Sequence, residues 1–268
     1  MRVAALQMTS GPHVEANLAS ADLLLAEAAA TGARLAVLPE NFAFMGLKDA
    51  DKLAVAEPDG EGPIQRFLSQ TARRLHLWVI GGTIALTVPG ERRVAAACLV
   101  FDEQGQRVAR YDKIHLFDVD IPGKDENYRE SANIRAGSAA ISFESPVGEI
   151  GLSVCYDIRF PELYRQLSAA GAQILTVPSA FTAPTGRAHW ETLLRARAVE
   201  NLCYVIAPAQ SGFHENGRET YGDSMIVDYW GRVLARLPRG RGCVTAELDL
   251  AEQSRVRASF PALSHRVL

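Results

Sequence analysis

The stretch Glu149-Ile-Gly-Leu-Ser-Val-Cys-Tyr-Asp-Ile-Arg-Phe-Pro-Glu-Leu163 contains a short apolar run, a polar turn and the start of a helix. Its first six residues predict a strand, and Pro161 is typical of the first turn of the helix that follows. Cys155 lies between them, after the carboxyl end of the predicted strand. Open α/β sheets bind their ligands at this end of the strands. The thiol is therefore a candidate nucleophile, although most cysteines of intracellular proteins are inert core residues.

Strands and helices alternate along the rest of the sequence, which predicts an α/β fold. An amphipathic helix over residues 14–31 ends at Gly32, a typical helix cap, and a second helix covers residues 64–75. The segment 113–138 is polar and rich in turn residues, and such long loops are usually functional. The remaining predicted elements are strands over 2–8, 34–38, 77–86, 94–102, 106–111, 173–177 and 203–207, a helix over 186–200, and closing strands over 225–228, 233–237 and 243–248.

Two segments that start at residues 29 and 169 are similar, since each predicts a helix, a glycine cap, an apolar strand and a proline. Glycine caps are common between helices and strands, and that alone could explain the similarity. The other interpretation is two similar halves, in which two sheets pack face to face with helices outside. We expect one domain over residues 1–268, with a C-terminal tail from about residue 250, because no linker rich in Pro, Gly or Ser divides the chain.

The composition excludes several classes of partner. The 268 residues carry a formal net charge of −3, so no basic excess favours nucleic acid or anionic membranes. No stretch approaches the roughly 20 apolar residues of a transmembrane helix, and the first apolar run is too short for a signal peptide. Cys98, Cys203 and Cys243 lie in apolar or β-prone runs and are predicted to be buried, with no Cys-x-x-Cys pair. Free thiols predict a reducing compartment, most simply the cytoplasm.

Three predicted strands end beside a reactive side chain, namely Glu40, Lys113 and Cys155. If the strands belong to neighbouring sheets, these groups meet at one rim. A thiol reacts as its thiolate, and a carboxylate can take its proton and later return it to a leaving amine. The oxyanion formed when an amide is attacked needs a cation such as Lys113 or an N–H group such as that of Tyr156. The combination predicts amide cleavage.

Three motifs resemble the signature regions of the nitrilase superfamily of carbon–nitrogen hydrolases: Leu-Pro-Glu-Asn from residue 38, Tyr-Asp-Lys-Ile-His-Leu-Phe-Asp from 111, and Val-Cys-Tyr-Asp-Ile-Arg-Phe-Pro-Glu-Leu from 154. The resemblance extends from the first strand to Trp230-Gly231. It implies a four-layer α-β-β-α sandwich, a Glu40–Lys113–Cys155 triad, and homodimers or larger homo-oligomers. It also implies a second glutamate that orients Lys113, and the candidates are Glu130, which fits better, and Glu126.

Other segments resemble the Nit branch of amidases, among them Val-Pro-Ser-Ala-Phe-Thr from residue 177 and Leu-Leu-Arg-Ala-Arg-Ala-Val-Glu-Asn from 193. This implies hydrolysis of deaminated glutathione or ω-amidase activity on α-ketoglutaramate, and Ala-Gln-Ser-Gly from 209 favours the former. Both substrates carry a carboxylate, which the guanidinium of Arg159 could bind bidentately. Alternatively, Arg159 holds its own loop through Glu162. Phe181 and Thr182 are expected pocket walls, whereas His189 and Trp190 are expected to pack.

The expected reaction starts when Glu40 takes the Cys155 proton and the thiolate attacks the terminal amide of a small anionic substrate. Ammonia leaves as the thioester forms, water then hydrolyses the thioester to the acid, and no metal or organic cofactor is required. The alternatives are a Cys-His hydrolase that uses His115 or His189, an inactive scaffold with this fold, and a nitrilase that acts on nitriles.

Overall fold

The computed structural model describes residues 1–120 and 127–267. In this part of the chain, most strands belong to two large sheets. The first sheet has the spatial order Gly242–Glu247 (β17), Arg2–Gln7 (β1), Leu35–Val37 (β2), Trp78–Ile80 (β3), Val94–Phe101 (β5) and Ile84–Thr87 (β4), and Arg107–Asp112 (β6) also pairs with β5. The second sheet has the order Val233–Leu237 (β16), Ser224–Val227 (β15), Tyr204–Ala207 (β12), Ile174–Thr176 (β11), Gly148–Leu152 (β10) and Ser142–Ser145 (β9). Two small hairpins join Asp118–Asp120 (β7) to Asn127–Arg129 (β8), and Ser211–Phe213 (β13) to Glu219–Tyr221 (β14).

Helices cover the outer face of each sheet. The helices are Val14–Ala30 (α1), Pro63–Leu75 (α2), Pro161–Ala169 (α3), Ala183–Asn201 (α4) and Leu250–Ser259 (α5). Helices α1 and α2 pack on the first sheet, and α3 and α4 pack on the second. Proline stands in the first turn of α2, α3 and α4, where its missing N–H has no acceptor in the helix. The predicted four-layer α-β-β-α arrangement is confirmed.

The core lies between the layers, and alternate side chains of β1 pack into two different parts of it. Val3 and Ala5 belong to the core that includes the second sheet, whereas Ala4 and Leu6 belong to the core shared with α1 and α2. Successive strand residues point to opposite faces, and both faces are covered here. Sheets that are buried on both faces are expected to have nearly continuous apolar strands, which the sequence contains.

Two local features differ from the sequence-based expectation. The predicted strand over 77–86 is divided into β3 and β4 at Gly81 and Gly82. Gly82 has a φ of +51°, and a Cβ there would lie 1.9 Å from the carbonyl oxygen of Pro39. The expected tail from about residue 250 begins as α5, where the buried Gln253 donates hydrogen bonds of 2.8 Å to two carbonyl oxygens. Gly82 thus permits a close backbone contact beside Glu40. The buried amide side chain of Gln253 anchors α5.

The cysteines predicted to be structural follow the expectation in part. Cys98 and Cys203 are buried, while Cys243 is only partly buried. Of the polar segment 113–138, the described residues include β7 and β8, and Lys113, Phe117, Tyr128 and Glu130 line one cavity together with Cys155.

Candidate active site

The carboxyl ends of strands from both sheets meet at one rim. Glu40 follows β2, Lys113 follows β6, and Cys155 follows β10. The Glu40 Oε2 atom accepts a 2.8 Å hydrogen bond from the N–H of Ala180, which follows β11 of the other sheet. The side chain of Gln210 donates a 3.0 Å bond to the carbonyl oxygen of Glu40. These bonds connect the two sheets at the point where the candidate side chains converge.

Lys113 lies between two carboxylates. Its Nζ donates to Glu40 Oε1 at 2.8 Å and to both oxygens of Glu130, at 3.0 and 2.8 Å. The side chain is 2% exposed, and burial alone would lower the pKa of a lysine. The charges of Glu130 and Glu40 outweigh that effect and hold the Lys113 pKa well above its usual value. Lys113 is therefore a buried ammonium ion.

Glu130 lies in a 3-10 turn, Glu130–Ala132, within the long polar segment. Its Oε2 also accepts a 2.7 Å hydrogen bond from the N–H of Phe117. Burial would raise the pKa of this carboxyl group, but the charges of Lys113 and Lys52 hold it below its usual value. The rival candidate, Glu126, lies outside the described residues. Of the two, Glu130 is the one that the structure places against Lys113.

Cys155 begins a 3-10 turn, Cys155–Arg159, and has a φ of +50°. Left-handed backbone is uncommon for a residue with a side chain and recurs at active sites. Burial and then the Glu40 charge raise the pKa of the thiol well above its usual value, although Lys113 opposes them. The resting group at neutral pH is the thiol. The N–H of Tyr156 lies in the first turn, where amides lack acceptors within their own helix.

Asp157 is a further component of the site, and the sequence analysis did not single it out. It is fully buried and accepts hydrogen bonds from the Tyr111 hydroxyl at 2.6 Å and from the Val154 N–H at 2.8 Å. Its other oxygen lies 3.0 Å from the His115 N–H and 2.7 Å from His115 Nδ1. Asp157 thus connects the turn of Cys155 to the segment that carries Lys113.

The thiol opens into an inner pocket whose empty volume, including space open to solvent, is about 550 Å³. Phe181 and Thr182 lie in its wall, together with Glu40, Lys113 and Glu130. Several lining residues were not predicted from the sequence, namely Asn41, Lys52, Tyr128, Thr185 and Arg218. Neither His115 nor His189 is among the described residues that line this pocket, so the geometry does not favour a Cys-His pair.

Arg159 lies beside the inner pocket and does not line it. Its guanidinium carbon is 5.4 Å from the ring centre of Phe181 and 5.8 Å from that of Tyr156. One nitrogen is 3.3 Å from Nδ1 of His189, which is exposed. Within residues 1–120 and 127–267, no salt bridge joins Arg159 to Glu162 or to another carboxylate. The Arg159 guanidinium thus packs against aromatic rings next to the site.

Trp190 packs, as the sequence predicted. Its side chain is 1% exposed and lies against Phe181, with ring centres 4.9 Å apart. Its indole N–H donates a 2.8 Å hydrogen bond to the carbonyl oxygen of Asp223. Trp190 therefore supports a pocket wall from behind.

Among the described residues, no group of three or more His, Cys, Asp or Glu side chains is arranged to hold a metal ion. None of the helices in this part of the chain is both long enough and apolar enough to cross a membrane.

The chain matches known proteins over nearly its whole length. The carbon–nitrogen hydrolase family model matches residues 2–258. The chain is 45% identical over 267 residues to the deaminated glutathione amidase of Synechocystis sp., and the match covers 98% of this chain and 97% of that protein. The chain therefore belongs to the carbon–nitrogen hydrolase family and is a cysteine-dependent amidase.

Solved structures agree with this assignment. The chain superposes on Saccharomyces cerevisiae Nit3, a member of branch 10 of the nitrilase superfamily, with a TM-score of 0.90 and 29% identity over 100% of this chain and 97% of that one. It also matches a glutamate-to-glutamine mutant of the amidase from Nesterenkonia sp. AN1, with a TM-score of 0.80 and 27% identity over 97% and 98% of the two chains. In that amidase, acrylamide has added to the active-site cysteine. The fold is that of the nitrilase superfamily.

Proposed function

We propose that this protein is a deaminated glutathione amidase that works through a thioester on Cys155. The observation that carries the proposal is a buried ammonium ion, Lys113, which bonds to both Glu40 and Glu130 in the pocket of a buried thiol. The name and 45% identity of the Synechocystis relative support this substrate. In deaminated glutathione the amide nitrogen belongs to cysteinylglycine, so hydrolysis yields 2-oxoglutarate and that dipeptide. Ammonia leaves only from a primary amide such as α-ketoglutaramate.

In the proposed first step, the S–H proton of Cys155 passes to Glu40 as the sulfur attacks the amide carbon. The carboxylate can accept this proton because its bonds to Lys113 and to the Ala180 N–H leave lone pairs unused. The negative oxygen lies between the Lys113 ammonium and the N–H of Tyr156, which stabilise it. When the C–N bond breaks, Glu40 returns the proton to the leaving nitrogen and a thioester remains.

In the second step, Glu40 takes a proton from water and the water oxygen attacks the thioester carbon. The C–S bond breaks, the sulfur recovers its proton from Glu40, and the acid leaves. Glu130 keeps Lys113 in place throughout, since two of the three bonds made by the ammonium go to it. The thiol starts protonated, which is why the mechanism needs a base at this position.

The substrate's α-keto carboxylate is proposed to bind Arg159. Its guanidinium has no carboxylate partner among the described residues and lies beside Phe181 and Tyr156, which line the inner pocket. Phe181 and Thr182 would form the wall along the acyl chain. A free nucleophilic thiol also suits a reducing compartment, and we propose the cytoplasm.

We also propose that the protein forms a homodimer through an apolar patch of Val199, Trp230 and Phe260. These side chains are 49%, 53% and 52% exposed. The Trp230 and Phe260 rings lie 5.5 Å apart, and Val199 lies beside Gly231, the residue after Trp230. Exposed apolar patches of this kind typically mark interfaces between proteins.

The test measures kcat/KM for deaminated glutathione and for α-ketoglutaramate by release of 2-oxoglutarate, with Cys155→Ala as the inactive control. We expect wild-type protein to prefer deaminated glutathione by about tenfold or more, and Cys155→Ala to lose turnover while its circular dichroism spectrum is unchanged. A preference for α-ketoglutaramate would indicate an ω-amidase. Hydrolysis of neither amide, or undiminished turnover by Cys155→Ala, would refute the proposal.

A further inference from the structure

A second, wider cleft opens directly outside the inner pocket. Its empty volume is about 1490 Å³, and it is open to solvent. The two cavities share a wall formed by Asn41, Asp49, Lys52, Tyr128 and Arg218. Cys155, Phe181 and Tyr156 line the inner pocket and not this outer cleft. A molecule that reacts at Cys155 and is too large for the inner pocket would extend along the shared wall into the outer cleft.

The outer cleft has more positive than negative charge. Four cationic residues line it, Lys48, Lys52, Arg187 and Arg218, against two acidic residues, Asp49 and Glu219. Lys48 and Arg187 are exposed and belong to the outer cleft alone. In the part of the chain that the structure describes, no salt bridge pairs either of them with a carboxylate, whereas many other arginines are paired in this way. The cleft therefore suits an anionic group.

Arg218 stands at the boundary between the two cavities. Its guanidinium donates to the carbonyl oxygen of Ala180 and lies 5.1 Å from the ring centre of Tyr128. Its Nε atom is buried and has no hydrogen-bond partner among the described residues. Buried donors are normally satisfied. A polar atom of a ligand that passes from the inner pocket to the outer cleft could accept this bond.

We propose that the outer cleft is the leaving-group subsite and that Arg187 and Lys48 bind the terminal carboxylate of a leaving peptide. The inference rests on the proposed function, because deaminated glutathione has two carboxylates. One belongs to the acyl part and the other to the glycine of the leaving dipeptide. The two residues of the leaving dipeptide span roughly 7 Å when extended, so the second carboxylate would lie outside the inner pocket. The substrate class is thus acyl amides of short peptides with a free carboxyl terminus.

The experiment uses three substrates: deaminated glutathione, its analogue in which the glycine carboxylate is converted to a carboxamide, and α-ketoglutaramate. Wild-type protein is compared with Arg187→Gln, Lys48→Gln and the double variant. Arg74→Gln is the matched control, since Arg74 is an exposed arginine that pairs with Asp22 on another face. We expect the carboxamide to lower kcat/KM of the wild type by about tenfold, mainly through KM. For the double variant, kcat/KM on deaminated glutathione should also fall by about tenfold relative to wild type. Its kcat/KM on the carboxamide analogue should then be nearly the same as on deaminated glutathione.

The outcomes separate this inference from the proposed function. If the carboxamide lowers kcat/KM equally in wild type and in the double variant, these cations do not bind the glycine carboxylate, and the inference is wrong. If the double variant loses kcat/KM equally on deaminated glutathione and on α-ketoglutaramate, Arg187 and Lys48 bind the acyl part of the substrate, and the inference is also wrong. If wild-type protein hydrolyses none of the three substrates, the proposed function fails and the inference fails with it.

Discussion

Single residues at the rim act on each other mainly through charge. Glu40 has two effects on Cys155, because its carboxylate is the proposed proton acceptor and its negative charge also raises the thiol pKa. Lys113 opposes the second effect, since an ammonium ion nearby favours the thiolate. Burial and the Glu40 charge thus outweigh Lys113 and keep the nucleophile protonated until a substrate arrives, with the proton acceptor already in place.

The substitution Glu40→Gln should separate these two effects. Turnover is expected to fall by a factor of about a hundred or more, because the amide cannot take the proton. The Cys155 pKa is expected to fall, because the negative charge is removed while Lys113 remains. Alkylation of Cys155 by iodoacetamide, followed by mass spectrometry across a pH series, should therefore begin at lower pH in the variant. Glu144→Gln, at an exposed position on β9, is the control. An alkylation profile that moves to higher pH would contradict this account.

Secondary-structure elements are positioned at the rim by buried polar connections. Asp157 accepts bonds from the end of β6 through Tyr111, from the following segment through His115, and from the strand end at Val154. The bonds from Tyr111 and Val154 are buried, so these two donors depend on this one carboxylate. The side chain therefore sets the position of Cys155 relative to Lys113, although it does not line the pocket.

The substitution Asp157→Asn tests this connection. An amide of the same shape has one acceptor oxygen, so the donors on one side of Asp157, either Tyr111 and Val154 or the His115 N–H, should lose their partner. We expect the free energy of unfolding in urea to fall by about 2–3 kcal/mol and kcat to fall with little change in KM. Tyr111→Phe removes one donor and should cost about 1 kcal/mol. Stability equal to that of the wild type would show that Asp157 does not hold these elements together.

The whole molecule is built from two sheets that bury one face against each other and the other face under helices. Hydrogen bonds between the sheets at the rim, such as that from Ser224 to Gln7 at 2.8 Å, keep the strand ends together. The patch of Val199, Trp230 and Phe260 lies on the outside of this sandwich and remains exposed in one chain. In the proposed homodimer, a second copy would cover it.

The substitution Trp230→Glu should dissociate the proposed homodimer. A carboxylate in an apolar interface has no partner and must lose its water, which makes association unfavourable. Sedimentation velocity or light scattering should show a monomer for the variant and a dimer for the wild type. Arg255→Glu, which changes an exposed residue of α5 outside the patch, is the control. A wild-type monomer, or a dimer that persists in the variant, would contradict the proposed interface.

Much of the architecture could be predicted from local sequence. Strand and helix periodicity gave nearly correct bounds for α1 and α2, because buried faces impose a strict spacing of apolar residues. The division between β3 and β4 was missed, since the reason is a contact between Gly82 and the distant Pro39. The anchoring of α5 was missed for the same reason, since its buried Gln253 bonds to residues 80 and 51 positions away.

Local sequence is enough to identify the groups available for chemistry: a thiol, a carboxylate and an ammonium, each just after a strand. Reactive side chains and strand ends are local features, and their motifs can be recognised in order along the chain. The packing of the layers brings Lys113 to Glu130, lets Asp157 connect two segments, and places Arg218 at the boundary of two cavities. These relations join residues from different sheets and hairpins. Their distances depend on how the layers pack, which no local pattern encodes.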